Sequence, residues 1–342
     1  MEIINKLQRG SFTAINSCLR VKQEDRVLIV TDLETKEVGE SLYSEAKKVC
    51  KNVKIVVIED YTNRPAKSFP DKLKHEIDEF KPNISIYAAQ GYEGELGAFR
   101  RPLIDYFKQK YNCKHAHMIS ITKQLMEDGM NQDLEKVYDL TNKLLRIVEQ
   151  AERIHVSDPH GTNITFYFDS KLKWIPDDGR IEPGHMQNLP CGEVYTSPKT
   201  GNGRFVAWVL GDNFASQGVL KSPLTVEIEN GIIASTSCDD TELLENFNNY
   251  VNEHEFGNRV GEFAIGTLLG LTGFVGNLLQ DEKFPGVHIA FGYPYPHETG
   301  ADWTCPSHLD IIAKDTTVTL WLKSGEEEKT IMVDGKFIPE LL

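Results

Sequence analysis

Short uninterrupted apolar runs alternate with stretches of helical spacing through the first part of the chain. Arg26–Asp32, Val53–Ile58, Ile84–Ala89 and His115–Ile121 are apolar runs of strand length, separated by amphipathic stretches over Glu34–Cys50, Pro70–Phe80 and Glu95–Tyr111. Continuous apolar strands joined by helices predict a mostly parallel sheet with right-handed crossovers. A long helix is expected over Asn131–Ala151, where Leu134, Val137, Leu140, Leu144, Leu145 and Val148 form an apolar stripe. It reads as the hinge element that closes a first domain. After it the texture changes to short strands and turns: Thr162–Phe168, Arg204–Leu210 and Leu224–Ala234, the last interrupted by Asn230-Gly231, a strong hairpin signal. The pattern predicts an α/β protein with an N-terminal parallel-sheet α/β domain over 1–150 and a C-terminal β-rich α+β domain over 151–342.

Length supports two domains, since 342 residues exceed one ordinary core. A hydrophobic share of 40% and a charged share of 26% are those of a globular chain rather than a disordered one. The formal charge of -14 disfavours nucleic acid and anionic membrane surfaces as partners, because both are bound by surplus Lys and Arg. Met1–Ser11 has no apolar core or cleavage pattern of a signal peptide. The apolar stretch Phe263–Leu279 is broken by Gly and Thr, so no membrane span is expected. Six scattered cysteines without a C-x-x-C pair read as reduced thiols, which points to a cytoplasmic protein.

The first domain offers little chemistry. His75, His115 and His117 have no acidic partner at ligand spacing, and the run Gly91–Gly97 follows a strand and precedes a helix without forming G-x-G-x-x-G. Backbone N–H groups there could hold an anion, but a plain strand-to-helix turn accounts for the run. The second domain differs. Glu193 follows the Pro/Gly turn Asn188-Leu-Pro-Cys-Gly, and Glu262 lies among apolar and glycine neighbours in Gly261–Gly266, where a carboxylate must be paired or coordinated to be buried. His288 sits in the alternating run Gly286–Gly292, followed by Tyr295 in a Tyr-Pro-Tyr-Pro turn. In His308-Leu309-Asp310 the i, i+2 spacing on a strand places an imidazole and a carboxylate on one face. Each has an ordinary structural explanation when taken singly. Together, three carboxylates and two histidines suit divalent ions of the zinc, cobalt or manganese kind better than a closed thiolate site.

At these residues the sequence resembles the aminopeptidase T family of metal-dependent aminopeptidases, also called aminopeptidase S or II. The similarity runs over nearly the whole chain and includes Asn188–Glu193, Gly261–Gly266, Asp281–Gly286, His288–Gly292 and His308–Asp310. The family's metal-site residues, Glu, Glu, His, Tyr, His and Asp in chain order, fall here on Glu193, Glu262, His288, Tyr295, His308 and Asp310. The resemblance implies two divalent ions (Zn, Co or Mn), a peptide substrate, catalytic roles for Glu262 and Tyr295, and a homodimer. The segment between His288 and His308 is shorter than in typical members, which bears on the shape of the substrate cavity.

The extended group also contains ring-cleaving 2,5-dihydroxypyridine dioxygenases, which use one Fe(II) held by two histidines and a carboxylate. The position matching their first histidine is Glu262 here, unless the register shifts to His254. A third reading is a non-catalytic metal-binding protein.

Overall fold

The computed structural model describes residues 5–323 and 328–342; residues 1–4 of the Met1–Ser11 stretch lie outside them. Strands run in chain order as β1 (Arg26–Thr31), β2 (Asn52–Val57), β3 (Ile84–Ala89), β4 (Lys114–Ile119), β5 (Ala151–Ser157), β6 (Asn163–Tyr167), β7 (Ile175–Asp177), β8 (Met186–Asn188) and β9 (Glu193–Thr196). They continue as β10 (Thr200–Leu210), β11 (Val219–Glu229), β12 (Ile232–Ser237), β13 (Val260–Gly266), β14 (Gly286–Gly292), β15 (His308–Ile312), β16 (Thr317–Leu322), β17 (Glu328–Val333) and β18 (Lys336–Phe337). The chain forms two compact units that do not divide at a single point: residues 1–134 with 179–191, and 135–178 with 192–342.

The first unit carries the expected parallel sheet, in the order β2-β1-β3-β4-β8. Leu28, Val30, Tyr87 and Ala89 pack against Phe99, Leu103 and Phe107. The stretch expected as one helix over Glu95–Tyr111 is instead a π-helical turn (Leu96–Arg100), an α-helical turn (Arg101–Asp105) and a second π-helical turn (Tyr106–Lys110). Pro102 accounts for the first widening, since it lacks the N–H that would bond back to Ala98; the second π-helical turn begins four residues beyond it. Glu95, at the end of the Gly91–Gly97 run, is itself a buried anion, clasped by the Arg64 guanidinium at 2.6 and 2.7 Å. His115 and His117 are core residues stacked on Phe107 and Tyr87, whereas His75, expected to have no acidic partner, meets Glu79 one helical turn on at 3.3 Å with both side chains exposed.

In the second unit the strands run antiparallel in the order β18-β17-β16-β5-β6-β10-β15-β14-β13-β9-β7, with β11 and β12 branching from β10. Helix Leu134–Val148 packs Leu140, Leu144 and Val148 into this unit's core. The Asn230-Gly231 turn joins β11 to β12 with φ of 54° and 77°, the left-handed pair that a two-residue hairpin requires. Strands β13 and β14 are buried along their whole length. Among the described residues no helix is long and apolar enough to cross a membrane, and all six cysteines are free.

Candidate metal centre

Strands β9, β13, β14 and β15 are neighbours in the second unit's sheet, and side-chain alternation divides each between two tasks. Val194, Phe263, Ile265, Ile289, Leu309 and Ile311 enter the hydrophobic core. Glu193, Glu262, His288, His308 and Asp310 occupy the intervening positions and converge on the other face. Cross-strand neighbours leave them room: Gly266 lies opposite Glu193, Ala290 opposite both Glu262 and Asp310, and Gly292 opposite His308.

A bulge makes the convergence possible. Val260 pairs with Phe291 and Glu262 with Ala290, which leaves Gly261 as an extra residue. Without it Val260 and Glu262 would share a face; with it Val260 enters the core and Glu262 turns to the cluster. A Cβ at Gly261 would lie 2.1 Å from the Gly292 carbonyl oxygen, so the bulge needs glycine. Gly292, at φ 96°, approaches Ser307 O equally closely, with 2.3 Å to an added Cβ.

The donors form three overlapping groups: Glu193, Glu262 and His288; Glu262, His308 and Asp310; and Glu282, His288 and Asp310, with ligand atoms in each within 4.8 Å of one another. His288 Nε2 stands 3.4 Å from Glu193 Oε2 and 3.6 Å from Glu262 Oε1. His308 Nε2 stands 3.5 Å from Glu262 Oε2 and 3.3 Å from Asp310 Oδ1. Glu262 thus turns one oxygen to each imidazole. His308 Nδ1 donates to the Tyr293 carbonyl at 3.0 Å, so when the ring gives up its second proton it keeps Nδ1–H and offers Nε2 as the ligand atom. Glu193 Oε2 is buried and accepts no hydrogen bond. Such a donor set fits divalent cations: carboxylate and imidazole atoms face a common centre, one oxygen unsatisfied.

Electrostatics agree. Burial alone would lower His288, but Glu262 and Glu193 outweigh it and push the imidazole up to about 9. Burial likewise opposes His308, and Asp310 and Glu262 raise it to about 10. Both rings are held as cations by a cage that attracts positive charge. Tyr295 begins the short helix Pro296–Thr299 at φ 51°, with its ring 5.1 Å from that of His308. Burial, reinforced by Glu262 and Asp310, keeps its phenol neutral, well above the usual value.

Three residues of the site carry no role in the sequence reading. Asp177, Glu282 and Lys283 are buried beside Glu193, with Lys283 Nζ 2.5 Å from Glu193 Oε1, 3.0 Å from Glu282 and 3.3 Å from Asp177. The segment Asp281–Gly286 enters the sequence reading only as part of the family similarity, with no role for Glu282 or Lys283; a charged triplet gives no sign by itself that the fold buries it. His254 belongs to none of the three groups and lies beside Glu253, its side chain 38% exposed. Glu262, not His254, therefore occupies the centre.

Residues 114–337, well over half of the chain, match the model of the thermophilic metalloprotease (M29) family. This chain is a member of that family. M29 membership makes it a metallopeptidase, a hydrolase that works with divalent metal. The M29 fold seen here is similar to wild-type AmpT from Thermus thermophilus, with a TM-score of 0.69 and 15% identity over 97% of this chain and 99% of that one. It is similar too to 2,5-dihydroxypyridine dioxygenase from Pseudomonas putida KT2440, with a TM-score of 0.68 and 15% identity over 97% of each chain. No curated relative matches the chain by sequence.

Proposed function

We propose that this M29 member is an aminopeptidase that removes N-terminal residues from peptides with two divalent ions, liganded by Glu193, Glu262, His288, Tyr295, His308 and Asp310. The observation that carries the reading is the sharing of Glu262 by two separate donor groups, each with its own histidine and second carboxylate. Ions of the zinc, cobalt or manganese kind would supply Lewis acidity there, polarising the peptide carbonyl and making water a nucleophile near neutral pH. Glu262 orients both halves of the site through its two oxygens. Tyr295 is a weak ligand or, as a neutral phenol, a donor to the oxygen that gains charge as the carbonyl is attacked. The concentration of carboxylates favours a cationic α-amino group over a free acid, which selects the N-terminal end of a peptide.

A single Fe(II) site needs two histidines and one carboxylate on one ion, and none of the three donor groups contains both His288 and His308. Titration of metal-free protein with Zn, Co and Mn, followed by turnover of an aminoacyl chromogenic amide, tests the proposal. Two ions per chain with release of the chromophore are expected. One iron per chain with oxygen uptake on a hydroxylated pyridine would overturn it.

A further inference from the structure

Among the described residues Lys283 is the one lysine paired with the carboxylates of the candidate metal centre, and it is fully buried. Its backbone carbonyl accepts from Leu268 N at 2.8 Å, which pins the residue to the exit of β13. Its ammonium faces Asp177, Glu193 and Glu282. A buried cation of this kind is stable only among carboxylates, yet one of the carboxylates it holds belongs to the proposed ligand set. The two oxygens of Glu193 have different partners: Oε1 receives Lys283 at 2.5 Å, while Oε2 accepts no hydrogen bond and points toward His288. Among the described residues no lysine or arginine forms an ion pair with Glu262 or Asp310; His308 is braced there by the Tyr293 carbonyl instead.

We propose that Lys283 is a positioning residue that locks Glu193 with Oε2 free for a cation, and so governs loading of the Glu193–Glu262–His288 subsite but not of the Glu262–His308–Asp310 subsite. Charge points the same way. Asp177, Glu193, Glu262, Glu282 and Asp310 are all buried, and against them stands one lysine. That excess of buried carboxyl groups over a single ammonium suits a site that takes up cations.

The inference rests on the two-ion reading, and one experiment separates the two. Metal-free wild type, Lys283→Met and Lys283→Arg are titrated with Mn²⁺ by calorimetry, and anomalous scattering from Mn²⁺-soaked crystals assigns each ion to a subsite. Failure of wild type to load two ions would sink the two-ion reading itself. Given two ions in wild type, Lys283→Met is expected to weaken the Glu193 subsite by roughly 10- to 100-fold, as loss of a supporting partner does. The His308 subsite should stay within a few-fold, and Lys283→Arg should recover most of the loss. Equal change at both subsites, or at neither, would overturn the inference. Should Lys283→Met fail to fold, Asp177→Asn decides: it leaves the Lys283–Glu193 contact intact and is expected to keep both ions, and selective loss of the ion at Glu193 would show that the contact is not what loads it.

Discussion

At the scale of single residues, the centre was legible wherever a side chain had no good reason to be where the sequence put it. Glu262 among apolar neighbours and the i, i+2 pair His308 and Asp310 each had an ordinary explanation alone and pointed to coordination only as a set, and they do converge. Lys283, Glu282 and Asp177 were not legible, because charged residues in turns are ordinarily solvated and only the fold buries them. His308→Ala removes Nε2 from between Glu262 and Asp310. Its loss of metal affinity should exceed the roughly 10- to 100-fold typical of losing a group that only supports a ligand, with peptide turnover abolished and circular dichroism preserved; full turnover in this variant would place the chemistry elsewhere. A second expectation concerns protons. In the metal-free protein His288 titrates near 9 and His308 near 10, so both are charged at pH 7, whereas a ligand imidazole must be neutral. Metal uptake at pH 7 should therefore release protons and tighten as pH rises toward 9. Calorimetry in buffers of different ionisation enthalpy measures this directly, and a buffer-independent heat would contradict it.

Among elements, periodicity revealed the parallel strands of the first unit and the Asn230-Gly231 hairpin, because each depends on a local pattern. It did not reveal the Gly261 bulge, which is a property of how β13 pairs with β14 rather than of the local pattern. Periodicity also overran Pro102, joining three helical turns into one helix. The first unit's lack of chemistry has a structural counterpart. In open α/β sheets ligands enter beyond the carboxyl ends of the strands where the order reverses, here between β1 and β3. At those ends Asp32 follows β1 and Gln90 follows β3, and Arg64 ties them together. Its guanidinium meets Asp32 at 3.1 Å and the Gln90 carbonyl at 2.8 Å, and it clasps Glu95. Arg64→Met keeps much of the volume but strands two buried carboxylates, and breaking a buried pair from one side costs about 3–5 kcal/mol. Urea unfolding should register that loss, while metal stoichiometry stays at the wild-type value. A loss below about 1 kcal/mol, the level of an exposed pair, would mean that the network is not a structural pin.

Across the whole molecule, the two units carry titratable histidines of opposite kinds, and this gives them opposite responses to pH. His115 in the first unit is buried neutral, its pKa lowered by burial to about 3. Its unfolded form titrates at the ordinary histidine value of 6.5, so between those values the unfolded state binds the extra proton. Stability associated with His115 is complete above pH 6.5 and falls by about 1.4 kcal/mol per pH unit as pH drops below it. His288 and His308 in the second unit are raised, to about 9 and about 10, by the carboxylates around them. In the metal-free protein their contribution is complete below pH 6.5 and is lost as pH rises through those values. Bound metal replaces these protons and removes the alkaline loss; an ion at 100 times its Kd adds about 2.7 kcal/mol. The units can be followed separately because the tryptophans Trp174, Trp208, Trp303 and Trp321 all lie in the second. In metal-free protein, acidification from pH 6.5 to 4 should reduce far-UV helical signal before tryptophan emission changes. Raising the pH from 7 to 10 should shift tryptophan emission first, and Mn²⁺ should suppress that shift without altering the acid transition. Coincident changes in both probes at both ends would show that the units unfold as one and that these histidines do not set the pH limits. Suppression of the acid transition by Mn²⁺ would instead couple the metal centre to the first unit's core.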